Sequence, residues 1–181
     1  MKLRLPAFAV LGLVLVLGLT AGCTAAEPSA PAPTTYELPP RQVRPDETAL
    51  KVPPAKNGDT EFDLIGFAAG LPSITGSHTE MPAKGQYVRL RLVVTNTGTS
   101  SVLFDTMRQL LVDDQGTTHP PDEQAMLIKR QPAQFDLGHS VRVEFDLYWD
   151  IPKDRKPVSV RAFGGPTITD MKNVNGTEIK L

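Results

Sequence analysis

The feature that most constrains this chain is a pair of long stretches in which residue types alternate. In Tyr87-Val88-Arg89-Leu90-Arg91-Leu92-Val93-Val94-Thr95, Val88, Leu90, Leu92 and Val94 fall on one side, and Tyr87, Arg89, Arg91, Val93 and Thr95 on the other. From Val141 to Trp149 the apolar set is Val141, Val143, Phe145, Leu147 and Trp149, and the outward set is Arg142, Glu144, Asp146 and Tyr148. A period of two belongs to a β-strand, whose successive side chains point to opposite faces. Two such strands need a second sheet to cover their apolar sides.

Shorter candidates supply that sheet: Phe62 to Phe67, Ser101 to Phe104, Gln109 to Val112, Ala125 to Lys129 and Val158 to Phe163. Turn chemistry separates them at Asn96-Thr97-Gly98, Asp113-Asp114-Gln115-Gly116, Pro120-Pro121 and Lys153-Asp154. No long helical period follows residue 22. About seven strands over residues 61–181 is the size of an immunoglobulin-like antiparallel β-sandwich. Asn175-Gly176 is a good hairpin turn, so residues 166–181 are expected to add an edge hairpin.

Several of these segments carry a family resemblance. Gly85-Gln86-Tyr87-Val88 leading into Thr95-Asn96-Thr97-Gly98, then Leu110-Leu111-Val112-Asp113-Asp114-Gln115-Gly116, Leu137-Gly138 and Trp149-Asp150-Ile151-Pro152 resemble the telokin-like extracellular domain of unknown function of the DUF4352 type. The resemblance covers roughly residues 61–165. It implies an immunoglobulin-like sandwich outside the cell, on secreted proteins and lipoproteins, and it brings no catalytic residues with it.

The first 22 residues read as an export signal. Lys2 and Arg4 precede an apolar run from Leu5 to Leu19, which is short for the roughly 20 residues that span a bilayer. The run Leu19-Thr20-Ala21-Gly22-Cys23 resembles the bacterial lipobox. That resemblance implies a diacylglyceryl thioether on Cys23 and cleavage at its amino side. Cys23 is the only cysteine, so the folded part can form no internal disulfide and no thiolate cluster. Residues 23–60 then read as the lipidated cysteine and a linker: eight of the 17 prolines lie between Thr24 and Thr60. Such a stretch favours polyproline II and coil and is expected to be a disordered, semi-rigid tether. The alternative use of a Pro-rich run is docking into an aromatic groove.

Function is less legible. The formal net charge is −1, and both Lys2 and Arg4 lie in the leader, so no polybasic surface is expected and nucleic acid is excluded as a partner. His78, His119 and His139 stand on separate loops, with no Gly-x-Ser-x-Gly, His-Glu-x-x-His or phosphate-cradling loop. No catalytic residue is assigned, and the chain is not expected to be an enzyme. Met81, Met107 and Met126 beside the histidines could suit copper, and Asp113-Asp114 and Asp122-Glu123 could suit calcium. Neither set has the spacing of a known site, so no metal and no cofactor is expected. Trp149 falls on the inward face as a core anchor. Tyr87 and Tyr148, on the outward faces, are the expected partner contacts, because tyrosine offers contact area and a hydroxyl at low entropic cost. The expectation is a membrane-anchored, extracytoplasmic, non-catalytic module that binds or supports a cell-envelope protein or glycan. The alternative is a small-molecule or metal-ion carrier.

Overall fold

A computed structural model describes residues 42–167 and 175–181. The signal sequence, Cys23 and the tether as far as Arg41 lie outside the described residues.

The two alternating stretches are neighbours. Strand β4 (Glu80–Asn96) runs antiparallel to β9 (Arg142–Ile151), with Val88 opposite Trp149, Leu90 opposite Leu147 and Leu92 opposite Phe145. On the other side of β4 lies β3 (Thr60–Thr75), joined to it as a long hairpin. The far edge of β3 carries two short strands, β1 (Thr48–Ala49) and β2 (Ala55–Asn57). A second sheet follows the order β11 (Thr177–Lys180), β10 (Pro157–Ala162), β6 (Leu110–Asp113) and β7 (Thr118–His119). A two-stranded ribbon pairs β5 (Val102–Asp105) with β8 (Gln134–Leu137). The described chain is thus an antiparallel β-sandwich, as the alternation predicts.

The inward residues of both sheets form one core. Val88, Leu90, Leu92, Val94, Leu147 and Trp149 meet Leu111, Val160, Ala162 and Ile179 from the opposite layer. Phe104, from the ribbon, sits among Phe62, Phe135 and Phe145 with ring centroids 5.3–6.0 Å apart. Trp149 is fully buried, as expected of a core anchor. Its Nε1 donates to the carbonyl of Gln109 at 3.2 Å. The buried Gln109 amide donates to the carbonyls of Asp105 and Phe163 and accepts from Phe163 N, so one side chain joins three segments and leaves none of its own polar atoms unpaired.

Turn chemistry accounts for the loops. Asp113 Oδ1 accepts from the backbone of Gln115 and Thr117, and Gly116 takes φ 78°. Asn96 closes β4 by accepting from Gly98 N and donating to the carbonyls of Ser100 and Leu137. The strand expected at residues 125–129 is instead helix α1 (Glu123–Ile128). Asp122 caps it by accepting from Ala125 N at 2.8 Å, and Ala125, Met126 and Leu127 are good helix formers without β-branches. This helical segment covers the outer edge of β9: Asp122 N donates to the Tyr148 carbonyl and Gln131 Oε1 accepts from Asp146 N, each at 2.8 Å.

Two boundaries differ from expectation. The strand expected at Phe62 to Phe67 extends to Thr75, because register shifts near Ile65, Ala69 and Pro72 break the alternation that would have shown it. The domain begins well before Glu61. Leu50, Val52 and Ala55 pack against the core, so residues 42–60 are domain and not tether. Proline content hid this, since a few anchored apolar residues suffice to dock an otherwise irregular segment. Asn175-Gly176 leads into β11, which pairs with β10 as an edge strand, while the opposing arm of the expected hairpin lies outside the described residues.

Leu147 is fully buried between layers whereas Leu103 is 40% exposed. Leu147→Ala should cost about 2–5 kcal/mol and Leu103→Ala no more than about 0.5 kcal/mol. Urea unfolding curves check this, and equal losses would contradict the assignment of faces.

Candidate functional site

A central strand buries one face in the core and ordinarily leaves the other to water. The outer face of β4 carries Arg89 and Arg91, opposite Tyr148 and Asp146 on β9 and opposite Ala68 and Gly66 on β3. Yet Arg89 is 8% exposed and Arg91 6%. The cover is the chain itself: residues 42–50 lie across this face as a strap.

The strap turns at Pro45 and Asp46, where Glu47 N donates to the Arg44 carbonyl at 3.0 Å. The turn delivers the Glu47 carboxylate onto the sheet with no solvent exposure of its side chain. Its Oε2 accepts from Arg91 Nε at 3.1 Å and lies 2.9 Å from Arg91 Nη2, and its Oε1 lies 3.3 Å from Arg89 Nη2. Glycine at position 66 makes this approach possible, because a Cβ there would overlap the carboxylate. Thr48 and Ala49 then pair with Phe67 and Gly66.

Further charges close the cluster. Arg44 reaches Asp146 at 2.7 Å, Arg91 Nη1 reaches Glu144 at 3.0 Å, Arg91 Nη2 donates to the Gln42 carbonyl at 2.9 Å, and Asp46 lies 3.0 Å from Arg89. Burial would raise the Asp46 carboxyl, but Arg89 beside it outweighs this and holds it below the usual carboxylate range. Charges of both signs alternate through the cluster, which is the condition for keeping ions away from bulk water.

Burial overturns the reading of Tyr87 and Tyr148 as surface contacts: each is 2% exposed. Burial pushes the Tyr148 hydroxyl up to about 12, with Asp146 adding to the rise and Arg89 and Arg44 opposing it. Burial likewise pushes Tyr87 up to about 12, with Asp122 and Asp150 contributing. Alternation sorts residues into two faces, but it does not say that the polar face is wet.

The remaining candidates are dispersed. His78 and His139 are exposed, and His139 bonds the Gly98 carbonyl. His119 Nε2 lies 3.0 Å from Asp113 Oδ2, and that bond holds the Asp113 carboxyl below the usual range. Asp113 serves the hairpin turn and Asp122 caps α1, while Asp114 bonds the backbone of Lys156. Among the described residues no group of three His, Cys, Asp or Glu side chains could hold a metal. Met107 and Met126 line a cleft of about 170 Å³ beside α1, together with Leu127, and Met81 lies elsewhere against the core. A wider cleft of about 500 Å³ lies between Lys84, Asp122, Asp150 and Lys153. A groove of about 430 Å³ runs between the strap and β3. Cys23 lies outside the described residues.

Sequence reasoning missed Arg44, Asp46 and Glu47. A signal was present: Arg44-Pro45-Asp46-Glu47 is a charged island in the proline-rich stretch, and Arg89, Arg91, Glu144 and Asp146 are charges on outward positions of paired strands.

An antiparallel sandwich that uses a buried ion cluster on one outer face to pin the strap at residues 42–50 is the class of protein that fold and site define. The family described as a domain of unknown function, DUF4352, matches residues 53–172, and the chain belongs to that family. The match begins at Pro53, so the strap precedes the family domain. No curated protein matches the chain. Among solved structures, the YjhA protein of Bacillus subtilis is similar, with a TM-score of 0.51 at 14% identity, over 71% of this chain and 95% of that one. At such identity the likeness is one of fold.

Two outcomes follow from the covered face. Breaking a buried pair costs about 3–5 kcal/mol when nothing relaxes; Glu47→Ala should cost less, because release of the strap returns Arg89 and Arg91 to water. Hydrogen exchange should accelerate at the Leu50 amide, which donates to Ile65, while β4 keeps its protection. For the phenols, a spectrophotometric titration should find Tyr87 and Tyr148 un-ionised at about pH 10, where an ordinary tyrosine is half ionised.

Proposed function

We propose that this chain is a lipoprotein held by Cys23 on the extracytoplasmic side of a cell membrane, and that its non-catalytic sandwich binds or supports another cell-envelope component, a protein or a glycan. The observation that carries this reading is the way the chain enters the domain. The segment arriving from the proline-rich stretch is fixed to the outer face by Glu47 between Arg89 and Arg91. The leading chain therefore joins the sandwich at one fixed place on its outer face. The export-type leader, the lipobox-like run at residues 19–23 and the extracellular setting that the DUF4352 resemblance implies agree with it.

The carrier reading draws on the clefts. The cleft between Met107, Met126 and Leu127, at about 170 Å³, is small against the roughly 300–1,000 Å³ typical of ligand pockets. The wider cleft by Lys84 and Asp150 opens broadly, so it encloses little of a ligand. A thermal-shift screen with metals, sugars and envelope lipids favours the carrier if any of them raises the melting temperature.

Cys23→Ser should move the protein from the membrane fraction into the medium, or leave an uncleaved precursor. Membrane fractionation with immunoblotting checks this, and a processed variant that stays with the membrane contradicts the anchor. Crosslinking on intact cells followed by pull-down tests the module reading, which requires one envelope component to be recovered reproducibly.

A further inference from the structure

We propose that the slot between Arg89 and Arg91 is a docking site for an extended, acidic segment of a partner polypeptide, and that the strap 42–50 is its resting occupant. This rests on the reading of the chain as a binding module and names the surface and the chemistry of the partner.

The slot is built to receive a carboxylate. Two guanidinium groups, each less than a tenth exposed, converge on one oxygen pair above a glycine that leaves room for it. Arginine recognises carboxylates through paired N–H donors, and the slot offers that on the Arg91 side, where Nε donates to Glu47 at 3.1 Å. On the Arg89 side the strap fits less well. Arg89 Nε and Nη2 and Glu47 Oε1 are buried without an aligned hydrogen bond, although Nη2 lies 3.0 Å from Asp46 Oδ2 and 3.3 Å from Glu47 Oε1. Buried donors left unaligned make the resting occupant replaceable by a segment whose carboxylate aligns with Arg89 as well as with Arg91.

The surroundings of the slot select an extended polypeptide. The strap meets the backbone of β3 at Ile65, Gly66 and Phe67 and turns away at Pro45 and Asp46. Beyond that turn the groove of about 430 Å³ continues along β3 past Ala68, Ala69 and Leu71. Among the described residues no strand pairs with this edge of β3 past Phe67. A segment that kept extended geometry would place its carboxylate where Glu47 sits and lie farther along the groove than the strap does. Main-chain pairing at a sheet edge with one side-chain anchor is a common mode of peptide recognition. A glycan offers no such backbone, which decides for a polypeptide. From Gln42 to Ala49 the strap is held by ion pairs, the Gln42 carbonyl and one two-residue pairing, so salt and competition can displace that part while Leu50 and the sandwich core stay in place.

The test uses the full chain made soluble by Cys23→Ser, with and without Glu47→Ala, and a labelled peptide with the sequence of residues 42–50. Fluorescence anisotropy should show at least tenfold tighter binding to the Glu47→Ala chain than to the chain with its own strap intact. A peptide carrying Glu47→Gln should bind at least tenfold more weakly, and added salt should weaken the acidic peptide more. Equal binding of both peptides, or equal binding to both chains, overturns the proposal. If circular dichroism shows Glu47→Ala unfolded, Glu47→Gln replaces it in the same titration. Failure of both variants to fold shows that the strap is not displaceable, which also overturns it. Recovery of an envelope partner from intact cells at a level indifferent to Glu47→Ala leaves the module reading standing and removes only the slot.

Discussion

The structure depends on the burial of β4 on both faces. Its inner face, with Val88, Leu90, Leu92 and Val94, is closed by the opposite sheet and needs nothing but apolar volume. Its outer face brings Arg89 and Arg91 out of water, and guanidinium groups cannot be left there without counter-charge. Glu47 and Asp46 supply it from the strap, and Glu144 supplies it from the neighbouring strand. The position of the strap, the need for glycine at 66 and the burial of Tyr148 all follow from that one electrostatic demand.

Within the core, Trp149 and Gln109 play a comparable part at smaller scale. The indole brings a large apolar surface to the interface and must also bury an N–H. Placing the Gln109 carbonyl 3.2 Å away satisfies it across the two sheets. Gln109 in turn is held by Asp105 and Phe163, so the ribbon, the second sheet and the long hairpin sheet share one polar junction.

The fold was legible where the two faces of a strand carry different residue types, even where both are covered. The alternation from Val143 to Trp149 follows directly from a face packed on a second sheet, and the Asp113 and Asn96 turns follow from side chains that bond their own backbone. Legibility failed where the local pattern has two causes. Residues 125–129 are apolar enough for a buried strand, and only the capping by Asp122 with the lack of β-branching at residues 125–127 distinguishes the helix. The bulges of β3 move the register and so remove the periodic signal altogether. The polar cluster escaped for another reason: Glu47 meets Arg89 and Arg91 across more than 40 residues of chain, and no spacing rule reports a contact of that kind. Proline counting then assigned the whole stretch to a linker, although Leu50 and Val52 are apolar anchors within it.

The order of the strap's contacts along the chain has a mechanical consequence. Gln42, Arg44, Glu47, Thr48 and Ala49 engage the sheet one after another, and Leu50 follows with its bond to Ile65. Contacts arranged in series under a pull from the N-terminal side break singly, each at modest force, whereas strands sheared side by side resist together. The strap therefore works as a fuse. A tug on the leading chain is spent on detaching a few ion pairs, and the sandwich behind them, held by apolar burial, keeps its shape until the strap is gone.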